Sequence, residues 1–289
     1  MGWDQSRVIC YMDYEQPPGF VNCGALKKCN RFVRGGVLHR MFWRDTIISP
    51  FRLGLVLWIF SSLCAAEAGS VAVTLRLPGG AVQAEVFEPV GSSQRRPVVL
   101  VLHGAGGTLL DGPEMRRVAR RLAEEGNAVY FLHYFERTGT IFALDSTMQR
   151  HFRAWLEMVR EAIRAIQELR SDAAPIGIYG YSLGGFLALL AASDNPRVGA
   201  VVEHAGGVWN GQMDRIGRMP PVLMVHGERD RRVPFAKYGQ PLLPVLRKHA
   251  PVVREKTFPV EGHVFTPAAM MEVRAAAAGF FRAHLRGGR

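Results

Sequence analysis

No cysteine occurs after Cys64. The other three, Cys10, Cys23 and Cys29, are confined to the first forty residues. The body of the chain can therefore hold no disulfide, no thiolate nucleophile and no cysteine-ligated metal. The early cysteines also lack the paired C-x2-C spacing of a zinc site, so neither metal nor cofactor is expected. Blocks of like charge are missing too. The net charge is +11, but the basic residues are spread thinly, which describes general solvation rather than a nucleic-acid face. There is no internal repeat and no low-complexity tract. The connection from Gly206 to Pro220 is too short to form a lid domain. What remains is an ordinary globular composition over 289 residues, 48% hydrophobic and 21% charged, with ample material for a core.

Long apolar runs are scarce as well. One begins at Leu53 and lasts about a dozen residues, too few to span a bilayer comfortably. It follows Met41 and the positive residues Arg44 and Arg52, and small residues, Ala66-Glu67-Ala68, close it at the A-x-A positions of a cleavage site. Residues 41–68 thus read as a secretory signal peptide, an N-terminal membrane anchor being the alternative. Lipidation at Cys64 is disfavoured because bulky Leu63 precedes it. A signal peptide must start the chain, so Met41 reads as the initiator and residues 1–40 as a disordered upstream extension. The expected location is outside the cytoplasm, periplasmic or secreted, with contact to the membrane only through the signal sequence.

From Gly69 the pattern is regular. Val71–Leu77 and Ala81–Phe87 alternate about a Pro-Gly-Gly turn as a hairpin. Val98–Leu102 is a continuous apolar run, suited to a strand buried on both faces. Further strands are expected at Ala128–Leu132, Ile176–Tyr179, Val198–Val202, Pro221–Val225 and Val252–Phe258. Between them lie helical stretches at Glu114–Glu125, His151–Leu169, Phe186–Ala192, Ala236–Lys248 and Ala268–Leu285. Such alternation predicts an α/β domain over residues 69–289, with a mostly parallel sheet of about eight strands and helices on both faces.

The stretch Pro175–Ala192 organises the chemistry. Gly180-Tyr181-Ser182-Leu183-Gly184-Gly185 carries G-x-S-x-G between an apolar strand and a helix-forming run. A serine on so sharp a turn needs small residues two before and two after it, because side chains there would collide. A hydroxyl is a poor nucleophile until a base takes its proton and a third group holds the base. In this architecture the acid and then the base follow the serine in the chain, just beyond strand ends. Asp230, after Pro221–Val225, and His263, after Val252–Phe258, satisfy order, type and position. Glu203, at another strand end, stays open as a rival acid, and Glu228 is a weaker one. An oxyanion needs preorganised donors. The backbone N–H of Leu183 is one candidate; the other lies in His103-Gly104-Ala105-Gly106-Gly107, with Ala105 preferred and Gly106 next.

HGAGG after a strand, GYSLGG at the elbow, HGERDRRVP and GHVF together resemble the α/β-hydrolase superfamily, and within it the dienelactone hydrolase family. The resemblance covers residues 70–286 and implies an α/β-hydrolase fold without a separate lid domain. Dienelactone hydrolase itself carries a cysteine nucleophile in the same elbow, where this chain has Ser182. The implied activity therefore moves toward a serine carboxylesterase acting on small to medium esters or lactones. A peptidase of the same superfamily and a non-catalytic binding protein are the alternatives. The stretch His133–Thr140 also resembles family members and places Tyr134 at a wall of the site. Gly106, Tyr181 and His204 complete the expected substrate-binding residues. N-terminal sequencing of the exported protein is expected to begin at Gly69; a mature start well upstream would overturn the signal-peptide reading.

Overall fold

The computed structural model describes residues 69–89, 96–170 and 175–285. The expected upstream extension and signal peptide lie outside the described residues. Eight strands form one sheet in the order β1-β2-β4-β3-β5-β6-β7-β8. The hairpin β1 (Ser70–Leu77) and β2 (Gly80–Phe87) pairs antiparallel, and β2 adds antiparallel to β4 (Ala128–Leu132). All remaining neighbours pair in parallel: β3 (Val98–Leu102), β4, β5 (Ile176–Tyr181), β6 (Val198–His204), β7 (Val222–Gly227) and β8 (Val253–Phe258). The sheet is thus mostly parallel, as the alternation of segments predicts.

Period-two alternation splits β3 between two cores. Val98, Leu100 and Leu102 face one side; Val99 and Val101 face the other. The first side is covered by α3 (Asp145–Leu169), α4 (Leu183–Ala192) and α6 (Leu242–His249). The second is covered by α2 (Gly112–Glu124) and α7 (Pro267–Leu285). Every residue of β3 and β4 is buried, which explains their unbroken apolar sequences. β8 closes one edge and carries the exposed, charged residues Arg254 and Glu255, which discourage further strand pairing.

Two expected helix boundaries differ. α3 starts at Asp145, six residues before the expected His151, because its first turns are mostly polar and half-exposed. The single helix expected over Ala236–Lys248 is two, α5 (Phe235–Tyr238) and α6, since Gly239 and Pro241 interrupt the helical pattern. A four-residue helix, α1 (Gly107–Leu110), and 3-10 turns at Glu136–Thr138 and Asn210–Arg215 complete the chain.

Trp155 of α3 anchors the first core. It is fully buried, lies 4.4 Å from the Phe135 ring and 5.9 Å from the Tyr134 ring, and donates from Nε1 to Thr138 Oγ1 at 2.9 Å. It thereby ties α3 to the segment after β4. Trp155→Ala is expected to cost about 3–5 kcal/mol of stability, read as a lowered denaturant midpoint. A change below about 1 kcal/mol would refute this anchoring role.

Candidate active site

β5 gives way to α4 through the single residue Ser182, whose backbone sits at φ 53° and ψ −119°. A non-glycine residue there is strained and persists only where its surroundings fix it. The fixing contacts are backbone ones. Ser182 N–H donates to His204 O at 2.8 Å, and Gly185 N–H donates to Ser182 O at 2.8 Å. The flanking glycines are obligatory for space: a Cβ on Gly180 would lie 2.1 Å from Gly184 O, and one on Gly184 would lie 2.5 Å from Leu102 O. The strain lifts the Ser182 hydroxyl to the carboxyl edge of the sheet.

There it meets a histidine. His263 Nε2 is 2.9 Å from Ser182 Oγ, and His263 Nδ1 is 2.7 Å from Asp230 Oδ2. Asp230 follows β7, its side chain is fully buried, and its Oδ1 accepts the N–H groups of Arg232 and Val233, both at 2.8 Å. Two backbone donors and a histidine compensate the buried carboxylate.

The loop carrying His263 is held from several sides. Arg229 N–H donates to Glu261 O at 3.0 Å, and Tyr181 Oη donates to His263 O at 3.1 Å. The buried Glu261 carboxylate accepts from Thr266 N–H at 2.7 Å and Thr266 Oγ1 at 2.8 Å. Thr266 Oγ1 in turn accepts the Ala269 N–H at 3.3 Å in the first turn of α7.

Of the rival acids, Glu228 is exposed and Glu203 is turned away. Glu203 is wholly buried, and its Oε1 accepts the Gly206 N–H. Burial pushes its pKa up to about 8, and the negative charge of Asp230 pushes in the same direction. Asp230, not Glu203, is bonded to His263.

Backbone accounting singles out the candidate oxyanion donors. Gly107 N–H donates to Gly104 O at 3.2 Å, Ala143 N–H donates to Ala105 O at 2.8 Å, and Leu110 N–H donates to Gly106 O at 3.2 Å. Gly106 N–H, the expected second choice, is taken by Asp111 Oδ2 at 3.0 Å. Ala105 N–H has no partner among the described residues, and neither has Leu183 N–H, which heads α4 where intrahelical acceptors are lacking.

Asp111 and Glu261 carry no recognisable sequence signal for these tasks. Asp111 holds the N-cap position of α2, yet its side chain makes no capping bond and turns to the glycine loop instead. Burial raises its pKa.

Two expected pocket residues require correction. Tyr134 is fully buried; it stacks on His103 at 4.1 Å and donates from Oη to His103 O at 2.8 Å, supporting the glycine loop from beneath. His204 is also buried, hydrogen-bonded through Nδ1 to Tyr179 Oη at 2.8 Å. Desolvation holds its pKa at about 3, so the ring is neutral. Both are too buried to line a substrate pocket. Tyr181 and Gly106 are part-exposed. Among the described residues no group of acidic, histidine or cysteine side chains could hold a metal ion.

A mostly parallel, eight-stranded sheet with a strained serine at the β5–α4 turn defines an α/β hydrolase. Residues 82–284 match the model of the dienelactone hydrolase family, and the chain belongs to that family. It is similar in structure to a putative dienelactone hydrolase from Klebsiella pneumoniae, with a TM-score of 0.63 and 17% identity. That match covers 74% of this chain and 98% of the other. A dienelactone hydrolase from Anabaena variabilis matches with a TM-score of 0.55 and 20% identity, covering 76% and 100%. XC6422 from Xanthomonas campestris, a serine hydrolase without a lid, matches at 0.58 and 19%, covering 76% and 97%. No curated protein matches the chain in sequence.

Glu203 makes stability depend on pH. Its carboxyl titrates at about 8 in the folded protein against 4.5 for a free one, so the folded state keeps a proton that the unfolded chain releases. The stability this supplies is full below about pH 4.5 and is lost as pH rises through about 8. Relative to Glu203→Gln, which keeps the acceptor for Gly206, the unmodified protein is expected to lose Tm steadily over that window. Parallel pH profiles for the two proteins would refute the assignment.

Proposed function

We propose that the protein hydrolyses carboxylic esters or lactones of small to medium size through a serine acyl-enzyme. The observation that carries this reading is the unbroken hydrogen-bonded series from Ser182 through His263 to Asp230, set beside two unpartnered N–H groups. Ser182 Oγ attacks the carbonyl carbon while His263 Nε2 takes its proton. Asp230, bonded to Nδ1, fixes the ring orientation and stabilises the imidazolium. The tetrahedral oxyanion is held by the N–H groups of Ala105 and Leu183. Collapse breaks the bond to the leaving alkoxide, which receives the proton from His263 and departs as the alcohol. Water then attacks the acyl-enzyme with His263 again as base, releasing the acid and restoring Ser182. No step calls for a metal or cofactor.

The neutral state of Glu203 supports the assignment of Asp230, because an uncharged carboxyl would do little for an imidazolium. Membership of the dienelactone hydrolase family supports hydrolysis as the reaction class. The leader-like residues 41–68 support action outside the cytoplasm, and no helix among the described residues is long and apolar enough to cross a membrane.

Ser182→Ala is expected to lower turnover of p-nitrophenyl acetate by about four orders of magnitude with an unchanged circular-dichroism spectrum. A fluorophosphonate probe is expected to label Ser182 in the unmodified protein. Undiminished hydrolysis in the variant would sink the proposal.

A further inference from the structure

Large apolar side chains exposed to solvent are concentrated at one place. Among the described residues there are ten, and six of them adjoin the catalytic edge: Leu109, Leu110, Ile141, Phe142, Leu144 and Val264. Their exposures run from 55% to 80%, so the core does not need them. Leu109 and Leu110 end α1, directly after the glycine loop. Ile141–Leu144 is tied to that loop by the bond from Ala143 N–H to Ala105 O, and the Ile141 carbonyl approaches Gly107. Val264 follows the base on the other side of Ser182. Single exposed apolar residues are ordinary, but a cluster held around a reactive group marks a surface meant to be covered.

What covers it is limited by its position. A folded partner or a second copy seated on this rim would close the approach to Ser182. An assembly of substrate molecules would cover the rim and supply the site at once. Exposed Arg229 and Arg231 flank the buried Asp230 and form no ion pair among the described residues, which adds positive charge beside the apolar rim of a basic chain.

We propose that the rim docks the protein on an aggregated anionic amphiphile, a lipid or micellar surface from which the site draws its ester. Apolar side chains enter the layer and the arginines meet its headgroups. This inference rests on the hydrolase reading above and adds the physical form of the substrate.

The test follows tributyrin hydrolysis below and above its solubility limit, with p-nitrophenyl acetate as the dissolved control. It also follows sedimentation of Ser182→Ala with vesicles of phosphatidylcholine, with and without phosphatidylglycerol. The expected result is a rate step of several-fold at the limit and pelleting that depends on phosphatidylglycerol. In the double variant Leu109→Ser/Phe142→Ser the step is expected to vanish, while acetate hydrolysis and Tm stay unchanged. Removing two inserted side chains is expected to weaken vesicle affinity by tenfold or more. Arg229→Glu/Arg231→Glu should abolish the lipid dependence alone.

Normal acetate hydrolysis without a step and without pelleting overturns the inference. So does a chain-length preference below the limit with no step, which would mean a pocket for one acyl chain. A self-association abolished by Leu109→Ser/Phe142→Ser, without vesicle binding, also overturns it. Vesicle binding by a protein inactive on every ester would instead uphold docking and remove the hydrolase reading.

Discussion

The close approach of β5 to α4 is the constraint on which the rest depends. Gly180 and Gly184 meet carbonyl oxygens at distances that exclude any side chain, and Ser182 is left to absorb the turn in a strained conformation. The strain is supported from β6, whose His204 carbonyl accepts the Ser182 N–H. β6 ends in a similar way. Ala205 has φ 53°, and Gly206 packs so closely that an added Cβ would lie 2.8 Å from Ser182 O and 3.0 Å from Gly185 Cα. Two tight turns at neighbouring strand ends therefore brace one another. A reacting hydroxyl is held in place by backbone, which moves less than side chains do.

That arrangement fixes how the remaining polar groups are spent. In the loop after β3, each carbonyl from Gly104 to Gly107 accepts a backbone N–H, and Gly106 N–H is taken by Asp111. Only the Ala105 N–H is left to face the candidate nucleophile from that side. Donors with no internal partner, fixed by the bonds of their neighbours, need no reorganisation when charge develops on a substrate oxygen. The fixed histidines follow similar logic. His103 and His204 are buried and held neutral at pKa values of about 3, so they brace the loops without adding positive charge to compete with His263.

The sequence made the sheet and the triad candidates legible because both rest on local rules. β3 and β4 read as buried strands from their unbroken apolar runs, and G-x-S-x-G carries its own steric reason. Asp230 and His263 could be placed from chain order and strand ends alone. The supporting residues could not. Asp111 sits ahead of α2 with no motif to mark it, and only the folded path of the loop turns it toward Gly106. Glu261 acts on Thr266 through a turn whose shape no local pattern announces. Tyr134 and His204 were misplaced for a related reason. Their chain positions are next to strand ends, but which side of a covering loop they occupy is set by tertiary packing, and both lie beneath it.

The two carboxyls near His263 show how environment separates groups that sequence leaves equivalent. Glu203 and Asp230 each follow or end a strand at the same edge of the sheet. Asp230 receives two backbone N–H groups and the histidine. Glu203 receives one backbone N–H in a fully buried position, and desolvation dominates. The charge on Asp230 then makes a second charge nearby still less favourable. The two groups are thus held differently, Asp230 bonded to His263 and Glu203 bonded to Gly206 with its pKa raised by burial.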